Sequence, residues 1–252
     1  MGEATAVETE VVTAALLVIG DEILSGRTKD KNIGYIAEYL TAIGVDLTEV
    51  RVVSDDEAAI IDALNALRQR YTYVFTTGGI GPTHDDITAD SVAKAFGVPI
   101  HEDPRAIARL LERIKPEDLN AARRRMARIP EGADLVDNPV SKAPGFWIGN
   151  VIVMAGVPTI MQAMLDSVAP KLATGRVMLS ETIRAECKEG DVAGPLREIA
   201  GRYPDVIIGS YPFNDETGFK TNLVVRSREA ARLADAAAAV RDMLASLDMT
   251  RS

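Results

Sequence analysis

A chain of 252 residues, 47% hydrophobic and 26% charged, has the make-up of a folded protein with one main domain and room for a small second one, not of a disordered one. Its 37 acidic against 28 basic side chains leave a formal charge of −9, which argues against a dedicated nucleic-acid binder, because a phosphate backbone requires a basic face. One cysteine and two histidines exclude an internal disulfide and a His- or Cys-rich metal centre.

Residues 1–12 read as a flexible tail. They carry Glu3, Glu8 and Glu10 and no basic residue, so they do not read as a signal peptide. No apolar run approaches the roughly 20 residues needed to span a bilayer. The expectation is therefore a cytoplasmic setting with no membrane partner. Residues 14–19 form a continuous apolar run, as in a strand covered on both faces of a parallel sheet. A helix is expected over 32–42, ended by Gly44, and a second strand over 46–53. Ser54 to Glu57 looks like a helix start, and Ile60, Leu64 and Leu67 then recur on one helical face. A third strand, 73–77, runs into a glycine-rich loop. The next helix covers 87–96 and ends at Gly97.

Ile107, Leu110, Leu111 and Ile114 predict a further amphipathic helix, ended at Lys115-Pro116. A short helix holds Arg123 to Arg125. Gly149-Asn150 between two apolar runs, 145–148 and 151–155, signals a hairpin. Residues 158–168 read as a helix with Pro158 in its first turn. Past Pro170 the order becomes strand 177–183, helix 192–201, strands 206–210 and 219–226, and a long helix bearing Leu233, Ala237, Val240, Leu244 and Leu247 on one face. The first part has the alternation of a doubly wound α/β fold, whose ligands sit at the carboxyl ends of the strands. The second is a small α+β appendage. The expected division is 13–171 and 172–252.

Residues 76–86 are the most informative. Gly78, Gly79 and Gly81 follow a strand directly, let the main chain approach a ligand, and present amides to a phosphate. Thr83 adds a hydroxyl. Asp85 and Asp86 place two carboxylates beside that cradle. Carboxylates repel a phosphate unless a cation lies between, so the pair implies Mg²⁺ or a similar hard ion. A glycine turn followed by capping aspartates would give the same letters. Asp21 and Glu22 follow the first strand, and Asp55 closes the second, so three acidic clusters converge on one rim. Lys142 either offers a cation to an anionic ligand or is a surface lysine. Arg123, Arg124, Arg125 and Arg128 could grip a phosphate, but a solvated helix face is the favoured reading. His84 reads as an exposed loop histidine. No Gly-x-Ser-x-Gly elbow, Walker A lysine or Gly-x-Gly-x-x-Gly is present.

Three segments together resemble the MoaB/Mog molybdopterin-binding family: Val18 to Gly26 with Asp30 to Asn32, Val53 to Asp56, and Thr77 to Thr88. The Gly-Pro-Thr-x-Asp-Asp-x-Thr form is most similar to the CinA type and to the corresponding domain of FAD synthases. Asn138-Pro139-Val140 and Ala143 to Phe146 add to the likeness, as do Ile208 to Pro212 with Asn222 to Val224 for the small domain that follows. The resemblance implies a three-layer α/β/α sandwich with a mostly parallel sheet, usually a homo-oligomer. It implies catalytic roles for Asp55 and Asp86, a phosphate cradle of Gly78, Gly79, Gly81 and Thr83, and an opposite lip of Asp21, Glu22 and Asn32. The loop 153–161, with Gly156, stands where the family usually has Leu-Pro-Gly-Pro-Pro-Ser-Glu-Met. The resemblance stops short of the CinA deamidase and FAD-synthase transferase domains, so neither activity is expected.

The function this implies is metal-dependent cleavage of a nucleotide diphosphate such as ADP-ribose or FAD, with Asp85, Asp86 and Asp55 holding the cation. Two alternatives stay open. One is adenylyl transfer to molybdopterin in molybdenum cofactor synthesis. The other is a non-catalytic module that binds a pterin or nucleotide.

Overall fold

A computed structural model describes residues 11–251, and the expected tail lies almost entirely outside them. By internal contacts the chain divides into residues 1–175 and 176–252. The first unit runs β1 (Val12–Ile19), α1 (Asp21–Leu24), α2 (Asn32–Ala42), β2 (Val45–Val53), α3 (Glu57–Arg68), β3 (Tyr73–Thr77), α4 (Thr88–Phe96), β4 (Ile100–Glu102), α5 (Pro104–Leu111), α6 (Ala121–Arg125), β5 (Arg128–Pro130), β6 (Asp134–Val136), β7 (Gly145–Ile148), β8 (Val151–Met154) and α7 (Pro158–Val168). Its six-stranded sheet has the order β2-β1-β3-β8-β7-β6. The first four strands are parallel; β7 and β6 run antiparallel. This is the mixed, mostly parallel sheet with helices that the sequence implied.

Seven of the eight β1 residues are buried, because both sheet faces are covered. On one face Ala15, Leu17, Ile19 and Val74 meet Ile60 and Leu64 of α3, Val92 of α4 and Leu110 of α5. On the other, Leu16, Val18 and Phe75 meet Ile36 and Leu40 of α2 and Met161 and Leu165 of α7. The result is three layers. The Gly149-Asn150 hairpin joins β7 to β8, with Gly149 at φ +56.

The fifth helix is shorter than its apolar spacing predicts. It stops at Leu111, which is 39% exposed, and a hydrogen-bonded turn carries the chain to Ile114 on the core. The small antiparallel pair β4–β5 was not foreseen, since three-residue strands carry no readable period.

The second unit contains β9 (Leu179–Ala185), α8 (Glu189–Arg202), β10 (Ile207–Asp215), β11 (Gly218–Ser227) and α9 (Ala230–Arg251). Its antiparallel sheet has the order β10-β11-β9, and one face packs on α8 and α9 through Val192, Ile199, Leu223, Val225, Ala237 and Val240. Strand β10 runs five residues beyond the expected end. It carries Pro212, which the ladder tolerates because β10 is an edge strand, where a missing N–H costs no ladder bond. No helix among the described residues is long and apolar enough to cross a membrane.

Candidate functional site

Four neighbouring parallel strands, β2, β1, β3 and β8, end on the same edge of the first unit, so the loops after them meet. Main-chain contacts lock those loops together. The Gly20 amide donates to the Val53 carbonyl at 3.1 Å, and the Gly78 amide to the Met154 carbonyl at 3.2 Å. Asp30 Oδ1 caps the start of α2 by accepting from the Asn32 and Ile33 amides at 3.1 and 2.8 Å. Asn32, only 4% exposed, then donates from Nδ2 to the Gly156 carbonyl at 2.8 Å, while its Oδ1 is buried without a partner.

The glycines are required by this crowding. Gly78 has φ +105, and a Cβ there would lie 2.1 Å from the Ile19 carbonyl oxygen. A Cβ on Gly156 would lie 3.2 Å from the Gly78 Cα. Gly79, at φ +66, is fixed by Thr88: the Thr88 amide donates to the Gly79 carbonyl at 3.0 Å, and its hydroxyl to the Gly78 carbonyl at 2.9 Å. The amides of Gly79, Ile80 and Gly81 have no partner among the described residues. Three successive free amides are what an anion-binding bend presents.

The acids divide into two groups. Asp86 turns back into its own loop: its Oδ2 accepts from the Thr83 amide at 2.8 Å and from the Thr83 hydroxyl, and it packs on Gly81. Asp55 accepts from the Asp21 amide at 2.9 Å, which ties the second strand's end to the first turn. Burial pushes the Asp55 carboxyl above its ordinary value. The negative charges of Asp21, Glu22 and Asp85 add to that rise, against the lowering effect of the Asp21 amide. Asp85 goes the other way: the Thr83 hydroxyl, whose proton goes to Asp86 in the structure, would hold the Asp85 carboxyl below its ordinary value when turned toward it. Among the described residues no three His, Cys, Asp or Glu side chains stand close enough to hold a metal ion unaided.

The structure thus brings Asp21, Glu22, Asn32, Asp55, Gly78, Gly79, Gly81, Thr83, Asp85, Asp86 and Gly156 to one rim. Lys142 stands apart. It has φ +67, and its Nζ pairs with Glu112 at 2.8 Å just past α5. The His84 side chain is almost fully exposed. One residue that the sequence reading weighed as a phosphate grip and set aside as a solvated face stands here: Arg125, whose Nη2 donates to the Asp86 carbonyl at 3.0 Å. Only its place in a charge run signalled it, and such runs usually face solvent.

Residues 15–174 match a family model described as a probable molybdopterin binding domain, and residues 177–251 match the FAD synthase middle domain. A probable FAD synthase from Caenorhabditis briggsae is 31% identical over 92% of this chain and 49% of its own length. A CinA-like protein from Gemmatimonas aurantiaca is 33% identical over 90% of this chain and 57% of its own. The chain therefore spans only about half the length of these curated relatives. A protein from Archaeoglobus fulgidus is 32% identical over 78% of this chain and 84% of its own. Among solved structures, CinA from Thermoplasma acidophilum, of unknown function, superposes with a TM-score of 0.60 at 34% identity, covering 63% of this chain and 96% of that one.

Proposed function

The chain belongs to the molybdopterin-binding-domain family, with a FAD synthase middle domain following, and from that premise we propose that its glycine rim cleaves the diphosphate linkage of a nucleotide such as ADP-ribose or FAD. One observation carries the reading: three unpartnered amides at Gly79–Gly81 share a strand-end edge with Asp55, Asp21, Glu22 and Asp85. Free amides select an anion, and the acids beside them select the cation that must accompany it.

The donor set suits a hard divalent ion. Mg²⁺ is commonly held by one or two carboxylates with the rest of its shell from water and substrate phosphates, so a three-acid cage is not needed. Asp55 and Asp85 are the carboxylates that would hold it, and its chemistry would be to neutralise charge on the phosphates. Asp86, with Oδ2 committed to Thr83, keeps the loop closed. The Gly79–Gly81 amides receive phosphoryl oxygens and stabilise the charge that grows on them. Asp55, fixed at the end of the second strand by the Asp21 amide, is placed to orient the attacking water.

The test is release of AMP from ADP-ribose or FAD with divalent metals. Activity that disappears in Asp55→Asn supports the reading; no AMP with any metal rejects it. A second reading, binding of a nucleotide or pterin without turnover, draws on the engagement of Asp86 by Thr83. Tight binding indifferent to a chelator, with no product, would favour that reading. Adenylyl transfer to molybdopterin has no observation here that favours it over these two.

A further inference from the structure

The basic run beside the rim is not the single solvated face that its sequence suggests. Arg123 donates to the Asp118 carbonyl, Arg124 pairs with Glu102 at 2.8 Å, and Arg128 pairs with Asp90 at 2.6 Å. Arg123 and Arg124 are answered by oxygens away from the glycine loop, while Arg128 and Asp90 spend their charges on each other at the lining of the same cavity as Gly79–Gly81. Arg125 differs. Its one hydrogen-bond partner among the described residues is the main-chain oxygen of Asp86, and its Nε is buried with no partner at all. With Gly79, Ile80, Gly81 and Asp86 it lines a small cavity of about 20 Å³. A buried guanidinium N–H without an acceptor is unfavourable, and a ligand oxygen can supply the missing partner.

We propose that Arg125 is a binding residue for the anionic ligand, giving its unspent donor capacity to a phosphoryl oxygen seated on the Gly79–Gly81 amides. The inference rests on the reading of that loop as the ligand site. Arg125 sets a cation on the glycine side of a rim rich in acids. Asp21, Glu22, Asp55 and Asp85 are all acidic there, and Lys142 is held by Glu112. A planar guanidinium fixed at one end by the Asp86 carbonyl is pre-aimed, so little side-chain freedom is lost when an oxyanion arrives.

The test titrates inorganic pyrophosphate, with and without Mg²⁺, into wild type, Arg125→Gln, Arg125→Lys and Arg123→Gln by calorimetry. Thermal melting checks that each is folded. Arg125→Gln is expected to bind about ten- to a hundredfold more weakly, with a flatter dependence on ionic strength. Arg125→Lys keeps the charge but loses the fork, and falls between Arg125→Gln and wild type. Arg123→Gln is expected to bind as wild type does. Wild-type affinity in a folded Arg125→Gln, or in Arg125→Lys should the glutamine variant not fold, overturns this inference and leaves the loop reading intact. Failure of wild type to bind pyrophosphate under either condition overturns both.

Discussion

The two units use their strands in opposite ways. In the first, β3 is buried at every residue; in the second, β11 alternates between buried and partly exposed positions. A strand covered on both faces can show function only at its end, and β3 runs out into Gly78 and Gly79. A strand covered on one face spreads its polar residues along its length. The first unit therefore concentrates free amides and acids at one edge, while the second scatters charge pairs such as Arg232–Asp205 and Arg184–Asp215. Burial on both faces makes a site legible because it leaves so few places for polar groups to go.

Several substitutions sharpen or break this contrast. The largest effect is expected from Phe75→Ala, which empties a fully buried position between β3 and the α2–α7 layer and should cost about 3–5 kcal/mol. The matching change in the second unit, Phe219→Ala, removes a ring that is 66% exposed and should stay within about 0.5 kcal/mol. Urea unfolding measures both. Fluorescence of Trp147, the sole tryptophan, follows the first unit, and circular dichroism follows the whole. Equal costs would mean that the two sheets are not covered so differently.

Glycine gives the next pair. Gly78→Ala drives a Cβ against the Ile19 carbonyl from a left-handed conformation and should cost about 2–3 kcal/mol. Gly201→Ala, in the last turn of α8 and facing open space, should stabilise by about 0.5–1 kcal/mol. A tolerated alanine at Gly78 would show that the bend is not held as tightly as its contacts indicate.

The smallest effect concerns Asp55. Its folded carboxyl takes up a proton more readily than in the unfolded chain, so it erodes stability as pH rises above its ordinary value of 3.8. Asp55→Asn, which keeps an oxygen for the Asp21 amide, should melt above wild type near pH 7, and the gain should vanish below about pH 3.8. A variant less stable than wild type at neutral pH would contradict the burial that raises this group.

Much of this was readable in the chain. The first-unit elements α2 and α7 begin and end where Gly44 and Pro158 place them, and β1 follows its unbroken apolar run. The acids and glycines of the rim were readable because strand ends are punctuated by turn residues. What escaped had a physical reason. Thr83 and Asp86 satisfy each other through a local turn, which sequence cannot distinguish from a pair of metal ligands. Arg125 meets the loop across 39 positions of chain, and no periodicity encodes such a contact. The full length of β10 escaped because edge strands, which tolerate a proline such as Pro212, and central strands read alike until the sheet order is known.

Amide hydrogen exchange with and without ADP-ribose and Mg²⁺ tests the central claim most directly. The glycine-rim account predicts new protection over 20–33, 78–88 and 155–158 and none over 207–227. Protection confined to 207–227, or no change at the rim with saturating ligand, would contradict it.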